Sequence, residues 1–487
     1  MSETEAAIRD NLEPLRPMVE RSAAIAQPPL RVHDSWRHQC QAFNFAFDRG
    51  ASMLAMDMGT GKSKVVADLV ANWGAGRVLI LCPKSVLGVW RREFARHWPS
   101  GEVDADLCIL DRRSGKEKAQ EVESFLRGAD TGTRVVVANY DAVWREPLAT
   151  SILNAGFAVT VCDESHRIKA AGGKASRFCQ KLGKQSRRTL CLTGTPMPHS
   201  PLDLYGQFRF LDTSVYGTSF ARFRARYAVT NPMFPSQVRR WINQDELQEK
   251  FHGNAFVCRA NEVLDLPEVQ HLQRTCSLSP KARKVYQDIE GELLAELSSG
   301  RLIEPQNALV KLLRLQQVTS GFVGGQSEGG EGFVELLADD KQKLLLDLMA
   351  DVSGPTVVFC RFRADLAAVG KVAAKLGKSY GELSSGRRDL TEHATMPEGI
   401  DLMGVQLQAG GVGIDLTRAS YGVYYSIGFS LGDFEQSVAR LHRPGQERPV
   451  TFYHLLAENT VDERVYQALD KRRDVVESVL HSYGDKG

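Results

Sequence analysis

Short apolar runs alternate with longer stretches of helical or loop-like spacing along most of this chain. Residues 53–56, 77–82, 134–138, 157–162 and 189–192 are nearly continuous in apolar side chains. Such runs suit strands buried on both faces of a parallel sheet, with the intervening stretches as crossovers. They predict a first α/β lobe. A second series at 356–359, 402–407, 422–426 and 450–455, with helical spacing at 364–376, predicts another. From about 200 to 340 the periods are helix-like and rich in Arg, aromatic residues and Leu, without strand alternation. This predicts helical insertions and the connection between lobes. Residues 1–30 contain Pro14, Pro17 and Pro28 and keep no period, as an extension outside the fold would. The expected organisation is an N-terminal extension (1–30), a first lobe with a helical insertion from about 200 (31–265), a connection, insertion and second lobe (266–480), and a tail (481–487). The fold class is α/β, with a mainly parallel sheet flanked by helices in each lobe.

Composition narrows this picture. A chain of 487 residues with 43% apolar side chains can fill two or three cores. Lys and Arg total 61 against 59 Asp and Glu, so a polyanion partner must be gripped by local patches rather than by an overall basic field. The nine cysteines never fall as C-x-x-C, and Cys82, Cys162, Cys191 and Cys360 sit within apolar runs. They are expected as buried free thiols in a reducing cytosol. No stretch approaches the roughly 20 apolar residues of a membrane span, and the charged N-terminus leads into no signal-peptide core. The expectation is a cytoplasmic protein without a membrane partner, its tail-free build suiting a bacterial or phage origin.

Candidate chemistry begins at Asp57-Met58-Gly59-Thr60-Gly61-Lys62-Ser63, between an apolar run and a helix carrying Val65, Val66, Leu69, Val70 and Trp73. Strand, glycine-rich loop and helix in that order cradle phosphates: backbone N–H groups curl around them, Lys62 reaches the β and γ phosphates, and Ser63 holds Mg²⁺. The full G-x-x-x-x-G-K-S pattern would place glycine where Met56 stands. Asp163 and Glu164 follow the run 157–162, so their carboxylates emerge at the edge where α/β sheets bind ligands. Downstream of the phosphate loop in the same lobe, Asp163 suits the metal ion and Glu164 the attacking water; an acidic pair after a strand is otherwise a solvated turn.

These motifs extend into a series. Arg37-His38-Gln39, DMGTGKS (57–63), LILCPKSVLGVW (79–90), DESHRIK (163–169), LTGTP (192–196), AGGVGIDLT (409–417) and QSVARLHRPGQ (436–446) together resemble superfamily 2 helicases, specifically the Swi/Snf-related branch. The resemblance covers roughly residues 33 to 475. Departures are Asp415 where that branch usually has Asn, Ser165 for Ala, and Pro444 for a branched aliphatic residue.

The resemblance implies two tandem RecA-like (P-loop NTPase) lobes. Gln39 would read the adenine edge with Arg37 nearby, although it is also an ordinary polar residue before a helix. Thr193 and Thr195 would link nucleotide state to the nucleic-acid site, or Thr193 is a strand-end hydroxyl serving the backbone. Gly411, Gly413 and Asp415 would approach the nucleotide, with a glycine-rich turn as the alternative. Gln436, Arg440 and Arg443 share a frame in which the two arginines, three apart on a helix, would project from one face as arginine fingers. They would reach a nucleotide on Lys62 only when the lobes close, which couples hydrolysis to closure. Backbone contacts to the track are expected from Lys84, Ser85, Arg167, Lys169, Thr417 and Arg418, without base reading. The runs Arg222, Arg224, Arg226, Arg239, Arg240 and Lys471, Arg472, Arg473 offer further grip or are solvated helix faces. Trp90 and Phe94 read as packing, and no strand-separating wedge is legible. The implied function is a motor using ATP and Mg²⁺ that translocates on duplex DNA, the duplex preference resting on the resemblance. A strand-separating DNA or RNA helicase and a binding module without turnover are the alternatives.

Overall fold

Strands apolar on both faces must be covered on both faces, and the chain does this twice. The computed structural model describes residues 26–112, 114–127, 132–231, 238–298, 305–326, 332–392, 394–408 and 414–480. Gly411, Gly413 and the tail 481–487 lie outside them, as do residues 1–25. The chain divides into two compact units, one running to Asp265 and rejoined by residues from Asp474, the other spanning Leu266–Arg473. The second unit therefore stops at Arg473, short of the expected 480.

In the first unit, β1 (Ala51–Met56), β2 (Arg77–Cys82), β3 (Ala105–Ile109), β4 (Thr133–Asn139), β5 (Val159–Asp163), β6 (Arg188–Thr193) and, after an antiparallel ribbon of β7 (Ala228–Thr230) and β8 (Val238–Trp241), β9 (Ala255–Cys258) are assigned. Among the described residues the sheet order is β3-β4-β2-β5-β6-β1-β9, every pairing parallel. Met53, Leu54 and Met56 of β1 are wholly buried, as are Val78 through Cys82 of β2. Helix α1 (Arg37–Phe47) precedes β1 and α2 (Lys62–Trp73) follows it. α2 buries its polar side as well, where Lys64 pairs with Asp68 at 2.7 Å and donates to the Ser35 hydroxyl at 2.8 Å.

The second unit repeats the plan with β10 (Val269–Cys276), an antiparallel ribbon of β11 (Phe322–Gln326) and β12 (Gly332–Leu336), then β13 (Thr356–Cys360), β14 (Tyr380–Leu383), β15 (Leu402–Gln406), β16 (Tyr421–Tyr424) and β17 (Val450–Ala457). Its parallel sheet runs β10-β17-β16-β13-β15-β14, packed on a core that includes Leu345, Met349, Val358, Val369 and Val423.

Two expectations are corrected. Residues 200–340 are not purely helical: β9 and β10 form edges of their sheets, and one antiparallel ribbon precedes β9 while the other follows β10. β10 carries largely exposed residues on both faces and β9 is four residues long, so neither shows alternation. The extension also ends earlier than residue 30, because Pro28 is buried and Leu30 exchanges two backbone hydrogen bonds with the Asn72 side chain on α2 (3.0 and 2.8 Å). All nine cysteines are unpaired, eight of them buried and Cys276 half-buried. Among the described residues no helix is long and apolar enough to cross a membrane.

Candidate active site

Parallel pairing brings three motifs to one edge. Ala55 of β1 lies opposite Thr193 of β6, and Leu192 of β6 opposite Asp163 of β5. The loops leaving these strands therefore emerge side by side at the carboxyl edge, where α/β sheets take ligands.

The loop after β1 owes its shape to two glycines. Gly59 (φ 79°) and Gly61 (φ 86°) occupy the left-handed region, which residues with a Cβ enter at a cost. At Gly61 a Cβ would stand 2.2 Å from Nε2 of Gln39. That close approach has a purpose, since Gln39 Nε2 donates to the Thr60 carbonyl at 3.1 Å while its Oε1 accepts from Trp36 N at 3.0 Å. His38 Nε2 also lies 2.8 Å from the Thr60 carbonyl. Gln39 thus supports the loop from below and caps α1, its amide engaged with protein; Arg37 is exposed beside it. Lys62 donates to the carbonyls of Met56 (2.7 Å) and Asp57 (3.0 Å), which hold its ammonium over the loop. Met56 ends β1 with its side chain in the core and no positive φ, so glycine is not required there. Met58 and Ser63 are half-buried at the loop and the start of α2.

Asp57 fixes the other flank. Its N–H donates to the Cys258 carbonyl and its Oδ2 accepts from Ala260 N, both at 2.9 Å, with Arg259 Nη1 4.0 Å from Oδ1. The tie from β9 and the residues after it spans 203 positions of the chain, and no local pattern around 258–260 announces it.

Asp163 and Glu164 are buried at the end of β5. Asp163 Oδ2 accepts from the Trp90 indole at 3.0 Å and Oδ1 from the Glu164 N–H at 2.9 Å, while Tyr140 Oη donates to the Asp163 carbonyl at 2.7 Å. Trp90 and Phe94 are core residues as expected, but Trp90 also orients an acid, a role its packing signature hid. Glu164 holds φ 51°, a left-handed conformation uncommon outside glycine and characteristic of over-determined functional positions. Burial and the neighbouring Glu164 charge raise the Asp163 pKa. Burial also opposes the Glu164 charge, but His166, Lys62 and Arg167 together outweigh it and lower that pKa. His166 Nδ1 stands 3.3 Å from Glu164 Oε2, near enough for charge attraction though poorly aligned for a hydrogen bond. Two adjacent carboxylates with unequal proton affinities, beside a lysine loop, can hold a cation and accept a proton from water.

At the end of β6, Thr193 Oγ1 accepts from Thr195 N at 3.0 Å, so Thr193 serves the backbone. The buried Thr195 hydroxyl has no hydrogen-bond partner among the described residues. Helix α3 (Leu204–Leu211) packs beneath both loops. Its Gln207, wholly buried, accepts from the Ser165 hydroxyl at 2.7 Å and donates to the Pro196 carbonyl at 2.7 Å. Sequence reasoning passed over Gln207; the serine at 165 was the one signal pointing to a polar partner.

Of the track candidates in this unit, Lys84 and Ser85 are exposed on the turn after β2, Arg167 is exposed and Lys169 half-buried. Arg226 is paired with Glu246 at 2.5 Å.

In the second unit, helix α4 (Leu431–Leu441) carries half-buried Gln436 and buried Arg440, whose pKa burial lowers to about 10. Arg443 lies beyond the helix, which corrects the expected shared face. The residue before a proline is steered out of the α region, and Pro444 follows Arg443. The turn is laced to the segment after the glycines: Arg443 Nη1 donates to the Ile414 carbonyl at 3.3 Å, Leu416 N to the Arg440 carbonyl at 3.0 Å, and Gln446 Nε2 to the carbonyls of Thr417 and Ala419. Asp415 Oδ1 accepts from the Thr417 hydroxyl at 2.7 Å, closing a local turn. Half-buried Arg418 donates from its guanidinium to the carbonyls of Pro397, Glu398 and Ile400 and so braces that loop.

A family model described as the SNF2-related domain matches residues 34–321, and one described as the helicase conserved C-terminal domain matches 340–445. The chain is 24% identical over 426 residues to the DNA repair and recombination protein RDH54 of Saccharomyces cerevisiae, covering 80% of this chain and 45% of that protein. It is 25% identical over 462 residues to the Caenorhabditis elegans homologue of SWI/SNF-related matrix-associated actin-dependent regulator of chromatin subfamily A-like protein 1, covering 93% and 62%. The chain spans less than half the length of RDH54. Among solved structures it is similar to the Sulfolobus solfataricus SWI2/SNF2 ATPase core in complex with dsDNA, at 19% identity and TM-score 0.44, over 93% of this chain and 94% of that one.

Proposed function

The chain belongs to the SNF2-related domain family, and from that premise we propose that it hydrolyses ATP to drive movement along double-stranded DNA. The observation that carries this reading is the placement of the phosphate loop and the Asp163–Glu164 pair on strands separated only by β6.

Lys62, now held by loop carbonyls, has an ammonium ready to exchange those acceptors for phosphate oxygens. The loop N–H groups and the N-terminus of α2 bind the anion. Glu164 accepts the proton of the attacking water; its lowered pKa keeps it ionised for that task. Asp163, with its neighbour's charge beside it and, among the described residues, only the Trp90 and Glu164 N–H donors on its carboxylate oxygens, fits a divalent cation, with the Ser63 hydroxyl as a second oxygen donor. Mg²⁺ there would neutralise charge on the phosphates. Arg440 and Arg443 are the candidates for guanidinium charge on the transferred phosphoryl group, and Gln436 for a polar contact beside them.

For the track, exposed Lys84, Ser85 and Arg167 border the carboxyl edge of the first sheet and suit sugar-phosphate contacts that ignore sequence. The name of the yeast relative, a DNA repair and recombination protein, supports DNA as the polymer. Nine unpaired cysteines support a reducing compartment such as the cytoplasm. The test is phosphate release measured in parallel with duplex DNA, single-stranded DNA and RNA. Duplex DNA should stimulate most; equal stimulation by single-stranded RNA would overturn the duplex assignment.

A further inference from the structure

Gln207 has no place in the phosphate or metal chemistry, yet its side chain is wholly buried on α3 among aromatic and aliphatic neighbours. A buried amide is tolerated only when its hydrogen bonds are satisfied. Here both ends are used. Oε1 accepts from the Ser165 hydroxyl (2.7 Å), the residue following Glu164; Nε2 donates to the Pro196 carbonyl (2.7 Å), the residue following Thr195, and to the Asp203 carbonyl (2.9 Å). One side chain therefore links the loop after β5 to the loop after β6.

The rest of α3 makes that link stiff. A Cβ on Gly206 would stand 2.3 Å from the Ile168 carbonyl and 2.4 Å from that of Lys169, so the helix backbone lies directly on the turn that carries Ser165. Arg209 Nη2 donates to the Ala171 carbonyl at 2.6 Å and to the Ser176 hydroxyl at 3.1 Å, extending the seat along the same segment. On the β6 side the Thr195 hydroxyl is buried without a hydrogen-bond partner among the described residues. A shift of Pro196 must move or break the Gln207 bond. Any such movement reaches Ser165, and the left-handed backbone of Glu164 at φ 51° leaves little room to absorb it.

We propose that Gln207 is a positioning residue that relays the state of the loop after β6 through Ser165 to Glu164, so that occupancy of the nucleic-acid site changes the alignment of the base. This rests on the ATPase reading above. A purely structural plug would have the same contacts, and the two roles separate in a double-mutant cycle. Ser165→Ala alone leaves Gln207 Oε1 without its donor, and Gln207→Leu alone strands the Ser165 hydroxyl as well as taking the donor from the Pro196 and Asp203 carbonyls; the pair removes the Ser165 mismatch and leaves only the lost Nε2 bonds.

The experiment measures kcat and KM for ATP with and without duplex DNA, and the melting temperature, for wild type, S165A, Q207L and S165A/Q207L. Each single variant should melt lower. The double variant should melt above Q207L, because the stranded Ser165 hydroxyl is gone, while its duplex stimulation of kcat stays about five- to tenfold below wild type, the size of an ordinary coupling between sites, with KM for ATP within about twofold. Recovery of stimulation together with melting temperature would reduce Gln207 to a structural plug and overturn the relay, as would undiminished stimulation in all three variants. Wild-type protein that duplex DNA does not stimulate would overturn both readings, with the motor assignment identified as the one at fault.

Discussion

Glu164 is a carboxylate only 2% exposed, and His166, Lys62 and Arg167 outweigh its burial and lower its pKa. Replacing it with glutamine keeps the shape and removes the proton acceptor. Glu164→Gln should lower kcat for ATP hydrolysis by about 10² to 10⁴ while ATP affinity stays within about threefold, since the phosphate loop is untouched. Steady-state turnover and equilibrium nucleotide binding check this, and near-normal turnover would remove Glu164 from the base role. Gly61 supports a second prediction. With φ 86° and the Gln39 amide 2.2 Å from where a Cβ would go, Gly61→Ala must displace either the loop or α1. ATP binding should fall at least about tenfold; unchanged affinity in a titration would mean that Gln39 does not define the loop.

Elements explain how one sheet edge gathers residues that are distant in sequence. α3 illustrates the point: Gly206→Ala should push the helix off the turn after Glu164, destabilising the first unit by about 1 to 3 kcal/mol as overpacking does and lowering turnover with it. A thermal melt that leaves both unchanged would show that the helix is not seated as described. The apolar strands β1, β2, β4, β5 and β6 were legible because burial on both faces writes continuous hydrophobic runs, and the phosphate loop and the acid pair were legible because their chemistry demands specific residues after such strands. β9 and β10 were not. β10 is an exposed edge strand whose residues face solvent, and β9 is too short to establish a period. For the same reason nothing in the sequence announced that Asp57 is held by Cys258 and Ala260. The end of α4 was misjudged because spacing alone put Arg440 and Arg443 on one face, while Pro444 steers the preceding residue out of the helix.

At the scale of the whole molecule, two parallel-sheet units in one chain give the architecture on which a nucleotide-driven motor can work, and a near-neutral total charge leaves the grip on a polyanion to local groups such as Lys84 and Arg167. Hydrolysis at the Glu164 site is proposed to move the protein along intact duplex. Displacement of a third strand from a DNA triplex reads that movement directly. Wild-type protein with ATP should release the third strand from the end of a duplex track, and Glu164→Gln protein, although it binds ATP, should leave the triplex in place. Release by the Glu164→Gln variant at the wild-type rate, or none by a wild-type protein that is actively hydrolysing ATP, would contradict it.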